Sequence, residues 1–506
     1  MNGPARHSRV VSSAEWLQVI GSIGKSRVFG SIGRSRVLDS VRSSRRTTPS
    51  PEIAASAILP VLAVFAVFVV LAVVCLTTGC ARSSGPDVLR FWAMGREGEV
   101  VTELIRDFEA ENPDIRVDVQ QLPWSAAHEK LLTAFVGRST PDLAQLGNTW
   151  VSEFAAMRAL QPLPPRLAVS ASTASASTAS ASGATALDST GFFRGIWRTN
   201  VIDNVCYGIP WYVDTRVLFY RKDILAAAGY DSIPASWDDW RTAMQAIRRR
   251  GGPDRYAIFL PINEWLAPVV LGLQAGSPLL ADDATRGAFR GAEFRRAFDF
   301  LLGLYRDGLA PPVSNNEIAN MYQEFARGYF AMHITGPWNL GEFRRRLPPE
   351  LQDAWGTAPL PGPVPGVPGV STAGGSSLVL FRESKHQEAA WRLVTYLSRP
   401  DVQLRFFELT GDLPARTEAW ADPRLTADRN LAAFGRQLQN VTPTPKIPEW
   451  ELIATRVQER VELAVRGAVL PDSALALLDR DAEQILAKRR WMMEKNRTRA
   501  VITERP

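Results

Sequence analysis

The feature that most constrains the fold is an alternation of strand-like and helix-like segments that begins just after Cys80. Val88-Leu89-Arg90-Phe91-Trp92 has strand composition. Residues 99–112 then place Val100, Leu104 and Phe108 at helical spacing, and Asn112-Pro113 stops the run because proline cannot continue a helix. Ile115-Arg116-Val117-Asp118-Val119 alternates apolar and polar residues, as a half-buried strand does. The pattern continues through a helix over 126–137, a strand over 143–146 after Pro141-Asp142, and a helix over 150–158. Strand, helix and strand in succession build a parallel sheet, so the expected fold class is α/β. Further on, 385–398, 449–466 and 472–495 have helical composition, and 359–369, alternating Pro, Gly and Val, reads as an extended loop.

At 506 residues the chain is too long for one small core, and two or three bodies are expected at about 150 residues per domain. The formal charge of +6 does not belong to the folded portion. Nine basic residues before Pro49, against Glu15, Asp39 and Glu52, account for all of it. A nucleic-acid partner, which needs the basic excess on a folded face, is therefore not expected. Three cysteines (Cys75, Cys80, Cys206) make neither a disulfide framework nor a four-thiolate zinc site. Cys206, in an apolar stretch, reads as a buried structural thiol. The four histidines show no ligand spacing, so no metal centre and no cofactor are expected.

Residues 53–81 carry no charge, and 57–76 are almost continuously apolar, preceded by Arg45 and Arg46. A basic region, an apolar region and small residues ending at a cysteine are the parts of an export signal. The run Leu76-Thr77-Thr78-Gly79-Cys80 resembles a bacterial lipobox, with Thr77 where Leu is usual, which implies lipidation of Cys80. The alternative is an uncleaved anchor, since about 20 helical residues cross a bilayer. Both place the rest of the chain outside the cytoplasmic membrane. A nine-residue repeat over 21–38 contains Gly24-Lys25-Ser26, but Val19 stands where a P-loop needs its first glycine, so 1–52 reads as a disordered basic extension or as the result of an upstream start codon chosen in error. The Ala/Ser/Thr stretch 168–186 has little apolar surface to bury and reads as a mobile insertion.

Several blocks spread along the chain form one ordered pattern. They are Trp92, Glu103, Phe108 and Pro113; Pro141-Asp142 with Trp150-Val151-Ser152-Glu153-Phe154; and Leu160-Gln161-Pro162-Leu163. The most specific runs from Tyr207-Gly208-Ile209-Pro210-Trp211-Tyr212-Val213-Asp214 through Leu218-Phe219-Tyr220-Arg221-Lys222-Asp223 to Pro234-Ala235-Ser236-Trp237. Phe325-Ala326-Arg327-Gly328, Gly336-Pro337-Trp338, Gly374-Gly375, Ala389-Ala390-Trp391 and Thr410-Gly411-Asp412-Leu413-Pro414 follow in order. Together these blocks resemble the extracellular solute-binding proteins of ABC importers, in the maltose-binding-protein-like sugar-binding group (family 1).

The resemblance implies a two-lobed periplasmic-binding-protein-like fold (type II), its lobes joined by hinge crossings, with C-terminal helices. The expected division is 1–52 extension, 53–80 signal or anchor, 81–208 first lobe, 209–372 second lobe, 373–420 return to the first, 421–495 second-lobe helices and 496–506 tail. Crossings are expected near 209–211, 371–376 and 416–426. The implied function is capture of a sugar between the lobes and delivery to ABC permease subunits, by a monomer held to the membrane by a lipid on Cys80 or by an N-terminal helix.

A sugar needs partners for its hydroxyls and flat rings for its C–H faces, and fifteen Trp suit that need. Position in the family pattern implies Trp338 as a stacking platform and Asp214 as a hinge-side acid that accepts hydroxyls. It also implies Glu264 and Trp265 as an acid and ring from the second lobe, and Trp450 as a late aromatic wall. Arg96 and Glu97, in the loop 94–98 after the opening strand, and Asn148 and Thr149 from an equivalent loop are candidates because open α/β sheets bind ligands at the carboxyl ends of strands. Tyr212 at the hinge and Arg416 as a donor complete the set. Each also has a plain reading as core ring, turn residue or surface ion pair. A carbohydrate-cleaving enzyme, which needs two carboxyls about 5–5.5 Å or about 6.5–9.5 Å apart, is the rival. No nucleophile elbow or nucleotide motif accompanies it, so no catalytic residue is assigned. A non-sugar solute such as glycerol phosphate is the other alternative.

Overall fold

A computed structural model describes residues 86–164, 187 and 189–503, with side chains to 495. The basic extension, the apolar run with Cys80 and the insertion 168–186 lie outside the described residues.

The strands of the two main sheets are, in chain order, β1 (Asp87–Met94), β2 (Ile115–Leu122), β3 (Leu143–Gly147), β4 (Ile209–Asp214), β5 (Val217–Arg221), β6 (Tyr256–Phe259), β7 (Phe330–Thr335), β8 (Trp355–Ala358), β9 (Gly374–Leu380) and β10 (Leu413–Pro414). The first sheet has the order β10-β4-β9-β3-β1-β2 and the second β8-β5-β7-β6. β1 pairs in parallel with β2 and β3, and β9 runs antiparallel to β3 and β4. In the second sheet β7 is parallel to β6 and antiparallel to β5.

Local sequence explains the opening unit. Leu89, Phe91 and Ala93 alternate onto one fully buried face of β1. The helix Gly95–Glu111 lays Val100, Val101, Leu104, Ile105 and Phe108 into the core. Each large apolar side chain so buried contributes about 1.5–3 kcal/mol. Asn112 Nδ2 donates to the Phe108 carbonyl at 2.8 Å and ends the helix just before Pro113. Helices Trp237–Gly251, Ala292–Arg306, Trp450–Val465 and Pro471–Ile485 share a core with one face of the second sheet through Trp240, Phe298, Val457, Leu478 and Met332.

Several boundaries differ from expectation. The first helix starts at Gly95, not at 99, so Arg96 and Glu97 sit on its first turn and not in a loop. The segment 472–495 is two helices, Pro471–Ile485 and Ala487–Thr503, and the second runs on through most of the expected tail 496–506. β4 belongs to the first sheet, between β9 and β10, so the expected start of the second lobe at 209 falls inside that sheet. Ile209, Trp211 and Val213 are buried there, and the chain leaves only at Thr215.

Three segments lie side by side where the sheets meet. Thr215 Oγ1 donates to the Thr372 carbonyl at 3.2 Å, and the Arg216 N–H donates to Ser371 Oγ at 3.1 Å. Ser371 and Thr372 pair in parallel with Val441 and Thr442. The segment 416–426, expected as a crossing, leads from β10 to the helix Arg429–Leu438 packed on β8, and the pairing at the hinge falls to 441–442.

Candidate functional site

The strand ends of both sheets open onto one cavity of about 550 Å³. β1 delivers Arg96 and Glu97 to it, β2 delivers Trp124, and β3 delivers Asn148, Thr149 and Trp150, all just past the carboxyl ends of parallel strands. β4 ends at Asp214 and β9 begins with Gly374, Gly375 and Ser376 on the same side. From the second sheet, the loop after β6 brings Trp265 and the turn after β7 brings Trp338.

The floor is a closed polar network. Tyr212 Oη donates to Glu97 Oε1 at 2.7 Å and accepts from Ser376 Oγ at 3.0 Å. Gln145 Nε2 reaches Tyr212 Oη and Ser376 Oγ, each at 3.2 Å, while its Oε1 accepts the Met94 N–H at 2.7 Å. Burial pushes the Tyr212 phenol well above its ordinary range, with Asp412 and Glu97 adding to the rise, so it remains a donor. The Gly375 backbone, at φ +120°, passes so close to β4 that a Cβ would lie 2.3 Å from the Tyr212 carbonyl.

Two further carboxyls face the cavity. Burial pushes Asp412 up to about 8, and nearby Glu97 and Asp214 add to it, so at neutral pH it holds a proton and donates as well as accepts. Burial also raises Asp214, against the pull of Arg216, whose guanidinium pairs with it. The same guanidinium lies 4.4 Å from the centroid of the Trp338 ring. That ring is 45% exposed. It folds back over Gly336, where a Cβ would stand 2.0 Å from it, so glycine there is a steric requirement. Asn339 Nδ2 donates to Thr335 Oγ1 at 2.6 Å and fixes the turn.

A second cavity of about 460 Å³ adjoins the first and shares Arg216, Trp265, Leu266 and Trp338 with it. Glu264 lines this one, accepting from Asn315 Nδ2 at 2.5 Å. His333, also on its wall, is bonded through Nδ1 to the Phe259 carbonyl at 3.0 Å and is lowered by burial, which keeps it neutral.

The structure thus brings Trp338, Asp214, Trp265, Asn148, Thr149, Arg96, Glu97 and Tyr212 to the first cavity and Glu264 to its neighbour. Two expected residues lie elsewhere. Trp450 is 1% exposed and stands edge-on behind Trp265, 6.0 Å between centroids, because it shares the apolar stripe of its helix with Ile453, Ala454 and Val457. Arg416 lies against the Phe192 ring at 5.2 Å and pairs with Glu418 at 3.7 Å, outside both cavities. Cys206 is buried, its thiol pushed up to about 12 by burial.

Sequence reasoning missed Trp124, Trp150, Arg216, Gln145, Ser376 and Asp412. Trp124 and Trp150 meet edge-to-face at 5.7 Å on the first-sheet wall. The rule that selected 94–98 and 148–149 applies equally to Trp124, two residues past β2. Arg216 stands two residues after Asp214, and no local pattern marked it.

Residues 94–404 match the model of the bacterial extracellular solute-binding protein family. The chain is 48% identical to the sugar-binding protein MalE of Xanthomonas citri, with TM-score 0.75 over 80% of this chain and 99% of that one. An ABC transporter solute binding protein of Thermotoga lettingae, solved with α-D-tagatose, is 26% identical with TM-score 0.63, covering 79% of this chain and 100% of that one. A lipoprotein of Streptomyces antibioticus is 27% identical over 76% of this chain and 85% of its own length. With two sheets meeting at a cleft and a family match over more than half its length, this chain belongs to the bacterial extracellular solute-binding proteins and has their two-lobed α/β fold.

Proposed function

We propose that the protein captures a neutral sugar, a mono- or oligosaccharide, between its lobes outside the cytoplasmic membrane and presents it to the permease subunits of an ABC importer. The observation that carries this reading is convergence: Trp338 and Trp265 from one sheet, Trp124 and Trp150 from the other, and hydroxyl-pairing groups on Asp214, Asp412, Asn148 and Thr149 face a single cavity. Rings take the C–H faces of a pyranose and the polar groups take its hydroxyls. Asn148 Nδ2 has no protein partner among the described residues and is available as a donor.

The charges favour a neutral ligand over glycerol phosphate. Arg96 is paired with Glu99 and Arg216 with Asp214, so a neighbouring carboxylate offsets each cation at the first cavity. The family match favours binding over cleavage. We assign 86–214 and 374–414 to the first lobe and 217–358 and 429–495 to the second, with closure at the triple contact of 215–216, 371–373 and 441–442. A ligand drives that closure only by its excess affinity for the closed form. We further propose that the protein acts as a monomer and is held at the membrane through a lipid on Cys80 or an uncleaved N-terminal helix; the mass of the detergent-extracted chain separates the two.

The test is titration of the full chain, in detergent, with neutral mono- and oligosaccharides and with glycerol phosphate, read by calorimetry and by melting. A true ligand at about 100 times its Kd stabilises the fold by about 2.7 kcal/mol. Binding of glycerol phosphate alone, or of none of these compounds, refutes the reading.

A further inference from the structure

Arg216 sits where the two cavities of the cleft meet. Of the four residues that form the shared wall, Trp265 is braced by Trp450, Leu266 is buried at the start of the helix Leu266–Gln274, and Trp338 is fixed by its turn over Gly336. The guanidinium of Arg216 is held differently. Its backbone is anchored at the hinge through Ser371, but its head rests on Asp214 and on the face of the Trp338 ring.

Those two contacts are the ones a sugar would make. A ring face receives a flat group, and a buried carboxylate accepts donors. A guanidinium is flat, weakly hydrated and edged with donors, so it satisfies both at once. The cation–π contact is of modest strength, and the ion pair, with about a fifth of each side chain exposed, loses in desolvation much of what it gains in attraction, so a ligand able to replace both contacts can displace the head. Displacement also removes the one wall element between the cavities that packing does not hold.

Resting on the reading of the cleft as a sugar site, we propose that Arg216 is a built-in occupant of that site: in the empty protein its guanidinium holds the Trp338 face and Asp214, and a sugar gains them only by expelling it, which joins the first cavity to the second. Arg216 is then a specificity-determining residue. It lowers affinity for every ligand, and it favours longer oligosaccharides, which alone use the space that its departure opens.

Two measurements on the full chain test this. In the absence of sugar, acrylamide quenching of the Trp338 fluorescence, taken by difference from Trp338→Phe, should rise in Arg216→Ala as the covered face becomes accessible; no rise overturns the proposal. Against mono- to tetrasaccharides of glucose, galactose and N-acetylglucosamine, Arg216→Ala and Arg216→Met should bind the sugars that the wild type binds about three- to tenfold more tightly, a gain that misfolding cannot produce. Affinity unchanged in both variants, with melts like the wild type, means that the guanidinium does not compete, and lowered affinity means that it serves the ligand directly; either overturns the proposal alone. A wild-type chain that binds none of the panel sinks the functional reading and this proposal with it.

Discussion

The two walls of the cleft are built on opposite principles. On the first-sheet side, Glu97, Tyr212, Gln145 and Ser376 are all buried and spend their hydrogen bonds on one another. On the second-sheet side, Trp338, 45% exposed, folds back over Gly336 and has the Arg216 guanidinium on its ring. The floor of the first wall is closed before a ligand arrives, with Asn148 Nδ2 left as a donor beside it, whereas on the second wall a ring face is left for a ligand to cover. A buried polar group without a partner costs about 1–3 kcal/mol, so a polar wall must be closed internally, while an exposed ring face tolerates vacancy.

The largest break in this contrast should come from behind the second wall. Trp450→Ala should cost about 3–5 kcal/mol of stability in denaturant unfolding, because it empties a core position that only braces Trp265. Trp338→Ala should do the reverse, weakening sugar binding by about 2 kcal/mol, or about thirtyfold in Kd by calorimetry, with little change in the melt. On the first wall, Tyr212→Phe should lower stability by about 1–3 kcal/mol, since it leaves the buried Glu97 and Gln145 short of a partner, and denaturant titration would register it.

Asp412 sharpens the contrast through pH. Its native value of about 8 lies above the ordinary carboxyl range, so between about pH 4 and pH 8 the folded protein holds a proton that the unfolded chain has released. The resulting stability is complete below that window and is lost as pH rises through the native value. Melts of Asp412→Asn between pH 5 and pH 9 should therefore fall less steeply than those of the wild type; equal slopes would count against the assignment. The smallest effect is expected at Arg416→Ala. Loss of its contact with Phe192 should cost less than about 1 kcal/mol, and sugar affinity should not move, because the side chain is outside the cleft.

Much of the fold was legible because it is written locally. The alternation in Arg116, Val117, Asp118 and Val119 and the stop at Asn112-Pro113 identify a strand and a helix end without reference to the rest of the molecule. For Trp450 the sequence offered both a cleft wall and a core ring, and its period decides between them: it lies on one helical stripe with Ile453, Ala454 and Val457, which marks a core ring. Arg216 shows the opposite case. Asp-Thr-Arg is unremarkable in a sequence, and its importance comes from Trp338, more than a hundred residues later.

By itself the sequence determined the α/β class, the concentration of the net charge before residue 53, and several of the rings and acids, Trp338, Trp265, Asp214 and Glu264 among them, that line the two cavities. Tertiary structure decided which of them face one another, that β4 lies inside the first sheet, and that the Arg216 guanidinium rests on the Trp338 ring. The physical reason is range: periodicity, proline stops and charge act between neighbours along the chain. A cavity wall is assembled from residues whose only relation is the space into which the packed sheets bring them.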